Sequence, residues 1–168
     1  MNTKILIILT MLLSTFSAQA LDVGDDAPCV VLEHVETDGK SSEHCIRDPK
    51  IELKPVVLDF FSIYCNYCIE SFPVLNKLSE SVAGQATFRA IAIDRKENEV
   101  RDFIATRKDL ITHEVGLDLD RDAKKAYAVV TTPTIFVLNS QNKIIFKHSG
   151  LVTEKISEKI KQVIQSVQ

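Results

Sequence analysis

The sequence lacks the features that mark several common classes of protein. Its formal net charge is −3 and it has no basic run, which excludes a strongly basic nucleic-acid-binding protein. Beyond residue 20 it has no second long hydrophobic stretch, no internal repeat and no low-complexity tract. There is no tryptophan, and no Met-rich tract of the kind that carries copper. The four cysteines include one C-x-x-C motif but not a second, so a zinc site built from paired motifs is not expected.

A secretory signal peptide is the first feature that is present. A positive charge at Lys4 precedes an almost unbroken apolar run at residues 5–16, and small residues follow up to Ala20. The alternative, an uncleaved membrane anchor, fits less well because the run is too short to span a bilayer comfortably. We predict cleavage after Ala20, which leaves residues 21–168 as one domain in the periplasm or another extracytoplasmic space.

The stretch from Val56 to Glu70 contains the C-x-x-C motif. The apolar residues 56–61 predict a buried strand. A helix should follow directly, because apolar residues recur at spacings of three and four at Ile69, Phe72, Leu75 and Leu78. Cys65 then lies at the start of the helix, where unpaired N–H groups and the helix dipole stabilise a thiolate. Cys68 follows one turn later on the same face and can close a short disulfide ring with Cys65.

The motif has two other interpretations. It could be half of a zinc site, but further ligands at a suitable spacing are missing from the sequence. It could be a purely structural bridge, but a loop this short stabilises a fold little. The strand before and the helix after favour a redox-active disulfide, with Cys65 as the nucleophile and Cys68 as the resolving cysteine. No other cofactor is expected.

Two further segments, together with the motif, have the order found in a known family. Asp59 lies six residues before Cys65, and Thr132-Pro133 precedes an apolar segment at residues 134–138. Over residues 23–167 the chain resembles the thioredoxin superfamily, and within it the exported thiol–disulfide oxidoreductases of the TlpA/ResA type. The resemblance implies that Pro133 is cis and that a buried Asp59 accepts a proton from Cys68. It also implies substrate contacts around the motif, at Tyr64, Asn66, Tyr67 and Thr132.

The resemblance implies a three-layer α/β thioredoxin fold, with a central mixed sheet flanked by helices. The remaining pattern agrees with that fold. It predicts strands at residues 86–93, 113–117, 133–139 and 143–148, and helices at residues 97–107, 120–128 and 153–167. Strands that alternate with helices, followed by a hairpin and a closing helix, are typical of such an α/β domain.

A β-hairpin extension is predicted at the N-terminus of the domain. Its strands are Cys29–Leu32 and Ser41–Cys45, with an Asp-Gly turn at residues 37–40. Cys29 and Cys45 then face one another, and an oxidising compartment favours their pairing as a structural disulfide. The alternative is a second redox site, or a metal site that includes His34 and His44. Because His44 and Cys45 are adjacent on a strand, they point to opposite faces, so we predict no bound metal.

Several residues depart from the family pattern. Tyr64 stands where tryptophan is usual, and Ser71 stands where ResA-type reductases carry a glutamate, with Glu70 one place early. Tyr67 and Thr132 are instead similar to residues of periplasmic disulfide isomerases. We predict a monomeric enzyme that reduces disulfides of exported cysteine-containing proteins and is itself reduced by a membrane thiol reductant. The alternatives are a disulfide isomerase or oxidase, and a thioredoxin-like protein that handles metal for copper sites.

Overall fold

The computed structural model describes residues 21–35, 40–47 and 53–167 of the chain. The predicted signal peptide and residues 37–39 of the predicted turn lie outside these ranges. Among the described residues, no helix has both the length and the apolar character needed to cross a membrane.

Strands and helices alternate along most of the described chain. In chain order they are β1 Val31–Val35, β2 Ser41–Cys45, β3 Val56–Phe61, α1 Asn66–Ser81, β4 Thr87–Ala92, α2 Glu97–Thr106, β5 Glu114–Leu117, α3 Asp122–Ala126, β6 Thr134–Leu138, β7 Ile144–Ser149 and α4 Glu154–Gln165.

The strands form one mixed sheet in the order β2-β1-β5-β4-β3-β6-β7. β3, β4 and β5 are parallel, and the other neighbours are antiparallel. Because β3, β4 and β5 step across the sheet in one direction, right-handed crossovers place α1 and α2 on the same face. α4 packs on that face beside α1, while α3 covers the other face. The predicted three-layer thioredoxin fold is therefore confirmed.

The core is organised around β3, whose six residues are all buried. Side chains alternate along a strand, so Leu58 and Phe60 point to one face and pack with Tyr127 and Phe136. Phe61 points to the opposite face and packs against α1 and α2. A strand buried on both faces explains why its sequence is nearly continuous apolar residues. The same strand carries the chain to the C-x-x-C motif.

The N-terminal hairpin forms one end of the sheet. β2 is the edge strand and pairs with β1, which brings Val31 opposite Cys45. Cys29, just before β1, is joined to Cys45 by a disulfide with a Cα–Cα distance of 5.5 Å. β1 covers Val31–Val35 rather than the predicted residues 29–32, because its pairing with β2 begins at Val31 and its pairing with β5 extends to Val35.

The double variant Cys29→Ser/Cys45→Ser is expected to lower the free energy of unfolding by about 2–4 kcal/mol. The bridge joins residues separated by 16 positions, and removing it gives the unfolded chain more conformational freedom. Urea unfolding of both oxidised proteins measures the loss. The redox equilibrium of Cys65 and Cys68 serves as the control and should not change. An unchanged unfolding midpoint would contradict a stabilising role for this disulfide.

Candidate active site

The end of β3 is held in place by a buried carboxylate from the neighbouring strand. Asp94 follows β4 and is 8 % exposed. Its two oxygens accept hydrogen bonds of 2.8 Å each, from the Ser62 hydroxyl and from the Ile63 N–H. These contacts fix the backbone that leads into Cys65. Sequence reasoning missed this role of Asp94. The available signal was an acidic residue at the end of a strand parallel to β3.

Cys65 is the N-cap residue of α1 and forms a disulfide with Cys68. The sulfur of Cys65 accepts a hydrogen bond of 3.1 Å from the Cys68 N–H. This N–H is one of the groups that a helix leaves unpaired in its first turn. Cys65 is half-buried, whereas Cys68 is completely buried. An incoming molecule therefore reaches the Cys65 sulfur first.

The segment before β6 lies against the disulfide although it is far away in sequence. The peptide bond between Thr132 and Pro133 is cis. The carbonyl oxygen of Thr132 is 3.4 Å from the sulfur of Cys65. The segment is fastened at both ends: the Thr134 hydroxyl donates to the Thr131 carbonyl at 2.7 Å, and the Gly150 N–H donates to the Pro133 carbonyl at 2.9 Å.

Asp59 lies on β3 and is 5 % exposed. Strand alternation directs its side chain to the face that α1 covers, the same face as Phe61, which packs against Cys68. Within the described part of the chain, neither carboxylate oxygen of Asp59 has a hydrogen-bond partner. Burial raises the pKa of this carboxyl from its ordinary 3.8 to about 7, because the charged form loses its hydration. A group with this pKa can accept and return a proton near neutral pH.

The side chains that surround the disulfide are mostly exposed. Tyr64 and Tyr67 are 66 % and 59 % exposed, and Asn66 is also exposed. The Tyr64 hydroxyl donates a short hydrogen bond to Glu99 of α2, which orients the ring. Val130 lies two residues before Thr132 and is 86 % exposed, a feature that sequence reasoning did not single out. These residues give the site an aromatic and apolar rim.

Ser71 is buried in the protein and links two backbone segments. It is completely buried, and its hydroxyl donates to the Tyr67 carbonyl at 2.6 Å. The same oxygen accepts a hydrogen bond of 3.0 Å from the Val152 N–H. The residue therefore links α1 to the segment before α4. Glu70, one position earlier on α1, is exposed.

Comparison with known proteins agrees with this geometry. Residues 52–144 match the family model described as thioredoxin-like. The chain is 28 % identical over 138 residues to the thiol-disulfide oxidoreductase ResA of Bacillus subtilis, covering 82 % of this chain and 73 % of that protein.

The fold is similar to that of two solved structures. A putative thiol:disulfide interchange protein DsbE from Chlorobium tepidum superposes with a TM-score of 0.72 at 26 % identity, covering 88 % of this chain and 99 % of that one. StoA from Bacillus subtilis superposes with a TM-score of 0.64 at 21 % identity, covering 82 % of this chain and 98 % of that one.

In the reduced protein, Cys65 is expected to be alkylated much faster than Cys68, with the midpoint of its rate against pH below that of free cysteine. Only Cys65 combines exposure with an N–H donor at the helix start. Iodoacetamide labelling followed by mass spectrometry measures both sites. The variant Cys68→Ala keeps the backbone N–H and should keep the low midpoint, whereas unfolding in urea should abolish it. Equal midpoints in the folded and unfolded protein would contradict the argument.

Asp59→Asn is expected to raise the free energy of unfolding at pH 8 and to change it little at pH 4. Between pH 3.8 and about 7, the unfolded chain releases the proton of Asp59 while the folded protein retains it. As the pH rises through this range, Asp59 therefore lowers the free energy of unfolding by an increasing amount. Because a pKa difference of one is worth about 1.4 kcal/mol, the gain is at most about 4 kcal/mol. Urea unfolding at both pH values measures it.

The same variant should slow disulfide exchange by roughly 10- to 100-fold, as expected for loss of a general base. The matched control is Asp102→Asn, which changes an exposed carboxyl on α2. If both variants show the same dependence of stability on pH, the effect does not come from the buried carboxyl. If exchange by Asp59→Asn is as fast as in the original protein, Asp59 is not the base.

Proposed function

The chain belongs to the thioredoxin-like family and is a thiol–disulfide oxidoreductase, and from this premise we propose that it is exported and reduces disulfides in other exported proteins. The observation that carries the proposal is the unequal pair formed by half-buried Cys65 and fully buried Cys68, together with the buried carboxyl of Asp59. A reductase needs one sulfur that attacks and a second, protected sulfur that completes the reaction.

The reaction begins with the reduced pair. The Cys65 thiolate attacks one sulfur of the substrate disulfide, forms a mixed disulfide and expels the other substrate sulfur as a thiolate, which takes up a proton. Cys68 then gives its proton to Asp59, and its thiolate attacks the Cys65 sulfur. This step forms the Cys65–Cys68 disulfide and releases the second substrate thiolate. Two electrons pass from the enzyme dithiol to the substrate disulfide.

The role of Asp59 follows from its unpaired burial. A carboxyl with an ordinary pKa would be a weak base for a thiol, whereas a pKa of about 7 lies close to the working pH. Cys68 is shielded from solvent, so a base inside the protein can take its proton where water cannot. The protonated carboxyl then returns the proton when the pair is reduced again.

The rim of the site supports a protein substrate. Tyr64 and Tyr67 flank Cys65 along the chain, Val130 lies two residues before Thr132, and all three side chains are largely exposed. An extended substrate segment that lies along residues 131–132 can pair with exposed backbone, as in strand addition. The Thr132 carbonyl beside the Cys65 sulfur positions the substrate cysteine for the exchange.

Electrons must be supplied from outside the protein because each turnover leaves Cys65 and Cys68 oxidised. The apolar segment at residues 5–16 supports export to a compartment without the cytoplasmic thiol pool. We therefore assign the regeneration step to a membrane thiol reductant, which attacks the Cys65–Cys68 disulfide by the same exchange chemistry. The enzyme acts as a monomer in this scheme.

The variant Cys68→Ala is expected to accumulate mixed disulfides between Cys65 and exported proteins. Without the Cys68 thiol, no group within the protein can attack the mixed disulfide at Cys65 and release the substrate. The trapped proteins are separated on non-reducing gels from cells that express the variant and are identified by mass spectrometry. The double variant Cys65→Ala/Cys68→Ala is the control and should trap none.

The redox state of the original protein in the same cells tests the direction of electron flow. A reductase is kept partly or wholly in the dithiol form, and deleting its electron source shifts it to the disulfide. Blocking free thiols with a maleimide reagent before lysis measures the two forms. A pair that stays fully oxidised, together with substrates that lose disulfides when the protein is absent, would show an oxidase instead.

A further inference from the structure

Three polar side chains come together on adjacent strands far from the C-x-x-C motif. His44 on β2 pairs with Leu32, and His34 on β1 pairs with Gly116. Because residues two apart on a strand share a face, His44, His34 and Glu114 of β5 all point to the same side of the sheet. Gly116 makes room for them, since a side-chain carbon there would lie 3.1 Å from Cε1 of His34.

The heteroatoms of the three side chains converge on one point. Oε1 of Glu114 is 3.2 Å from Nδ1 of His34 and 2.7 Å from Nε2 of His44. The two imidazole rings are stacked, with centroids 3.8 Å apart. One potential ligand atom from each residue lies within 4.8 Å of the others. These distances are close to the roughly 3.3 Å that separates neighbouring ligand atoms around a tetrahedral zinc ion.

The convergence leaves buried polar atoms without hydrogen bonds. His34 is completely buried, and neither of its ring nitrogens has a hydrogen-bond partner among the described residues. Oε1 of Glu114 contacts the two imidazole nitrogens at 3.2 and 2.7 Å, but without the geometry of a hydrogen bond. Buried polar groups in this state are rare in folded proteins and need an explanation.

The surrounding contacts orient Glu114 and His44. Nε of Arg89 donates to Oε2 of Glu114 at 2.8 Å, which leaves Oε1 directed at the imidazoles. The Arg89 guanidinium also donates to the Ile46 carbonyl at 3.0 Å, so its position is fixed. Nδ1 of His44 lies 3.4 Å from the Ser42 hydroxyl, which leaves Nε2 directed at Glu114. Metal-binding residues have supporting contacts of this kind on their second polar atom.

From this arrangement we propose that His34, His44 and Glu114 bind a divalent transition-metal ion of the zinc class. Two imidazole nitrogens and one carboxylate oxygen suit Zn²⁺ and similar ions, whereas Ca²⁺ and Mg²⁺ prefer all-oxygen sites. His44 is 29 % exposed, so an ion can reach the three side chains from solvent. The metal would clamp edge strand β2 to β1 and β5. This proposal differs from the prediction made from the sequence, which is that the protein binds no metal.

The site is separate from the redox centre. Leu32 and Ile91, which lie beside Gly116, pack in the cluster that contains Phe60. Cys68 packs in the cluster on the opposite face of the sheet. The metal is therefore expected to change the stability of the hairpin and not the exchange chemistry of Cys65.

The test is zinc binding by the protein with its four cysteines oxidised and with no polyhistidine tag, so that neither thiolates nor a tag can bind the ion. Competition with a chromophoric zinc chelator is expected to show one Zn²⁺ per chain. Zinc in a hundredfold excess over its dissociation constant should raise the thermal unfolding midpoint by about 5–10 °C. The variant His44→Ala changes a half-exposed residue and should weaken binding at least tenfold.

His148→Ala is the matched control, because this histidine lies on β7, away from the cluster, and binding should be unchanged. Glu114→Gln keeps the shape of the side chain and should weaken binding as His44→Ala does. The proposal is overturned if the oxidised protein binds no zinc, if only the reduced protein binds it, or if His44→Ala and His148→Ala bind it equally well.

Discussion

Burial of β3 on both faces is the constraint on which the rest of the structure depends. A strand whose six residues are all hidden needs a layer of helices on each side, and α1, α2 and α4 cover one face while α3 covers the other. The end of that strand is then the place where a rigid core meets solvent. Cys65 lies at this boundary as the N-cap residue of α1. Because Cys65 lies where the chain leaves β3 and enters α1, its sulfur is both accessible to solvent and close to an unpaired N–H of the helix.

Much of the fold and of the reactive pair could be predicted because the signals are local. The apolar run of β3, the helical spacing after it and the two cysteines lie within a few residues of one another. The thioredoxin resemblance added the cis bond before Pro133, which no local pattern of apolar residues would indicate. The elements from β4 to α4 are within a few residues of their predicted bounds for the same reason.

What the sequence could not show depends on pairing between distant strands. Asp94 holds Ser62 because β4 lies beside β3, and no spacing rule relates the two residues. The end of β1 at Val35 could not be predicted, because the strand that pairs there, β5, lies far along the chain. The argument from strand parity correctly separated His44 from Cys45. It could not foresee that Glu114 would meet the same two histidines from a third strand.

The hairpin has a consequence for how the molecule behaves in a crowded compartment. β2 is an outer edge of the sheet, and an edge strand can template pairing with another chain. Ser41, Ser42 and Glu43 are polar and exposed, and the strand is only five residues long. A strand from another chain that paired with β2 would contact a short, polar and hydrated strand and would bury little apolar surface. The polar composition of β2 thus protects this edge of the sheet against aggregation.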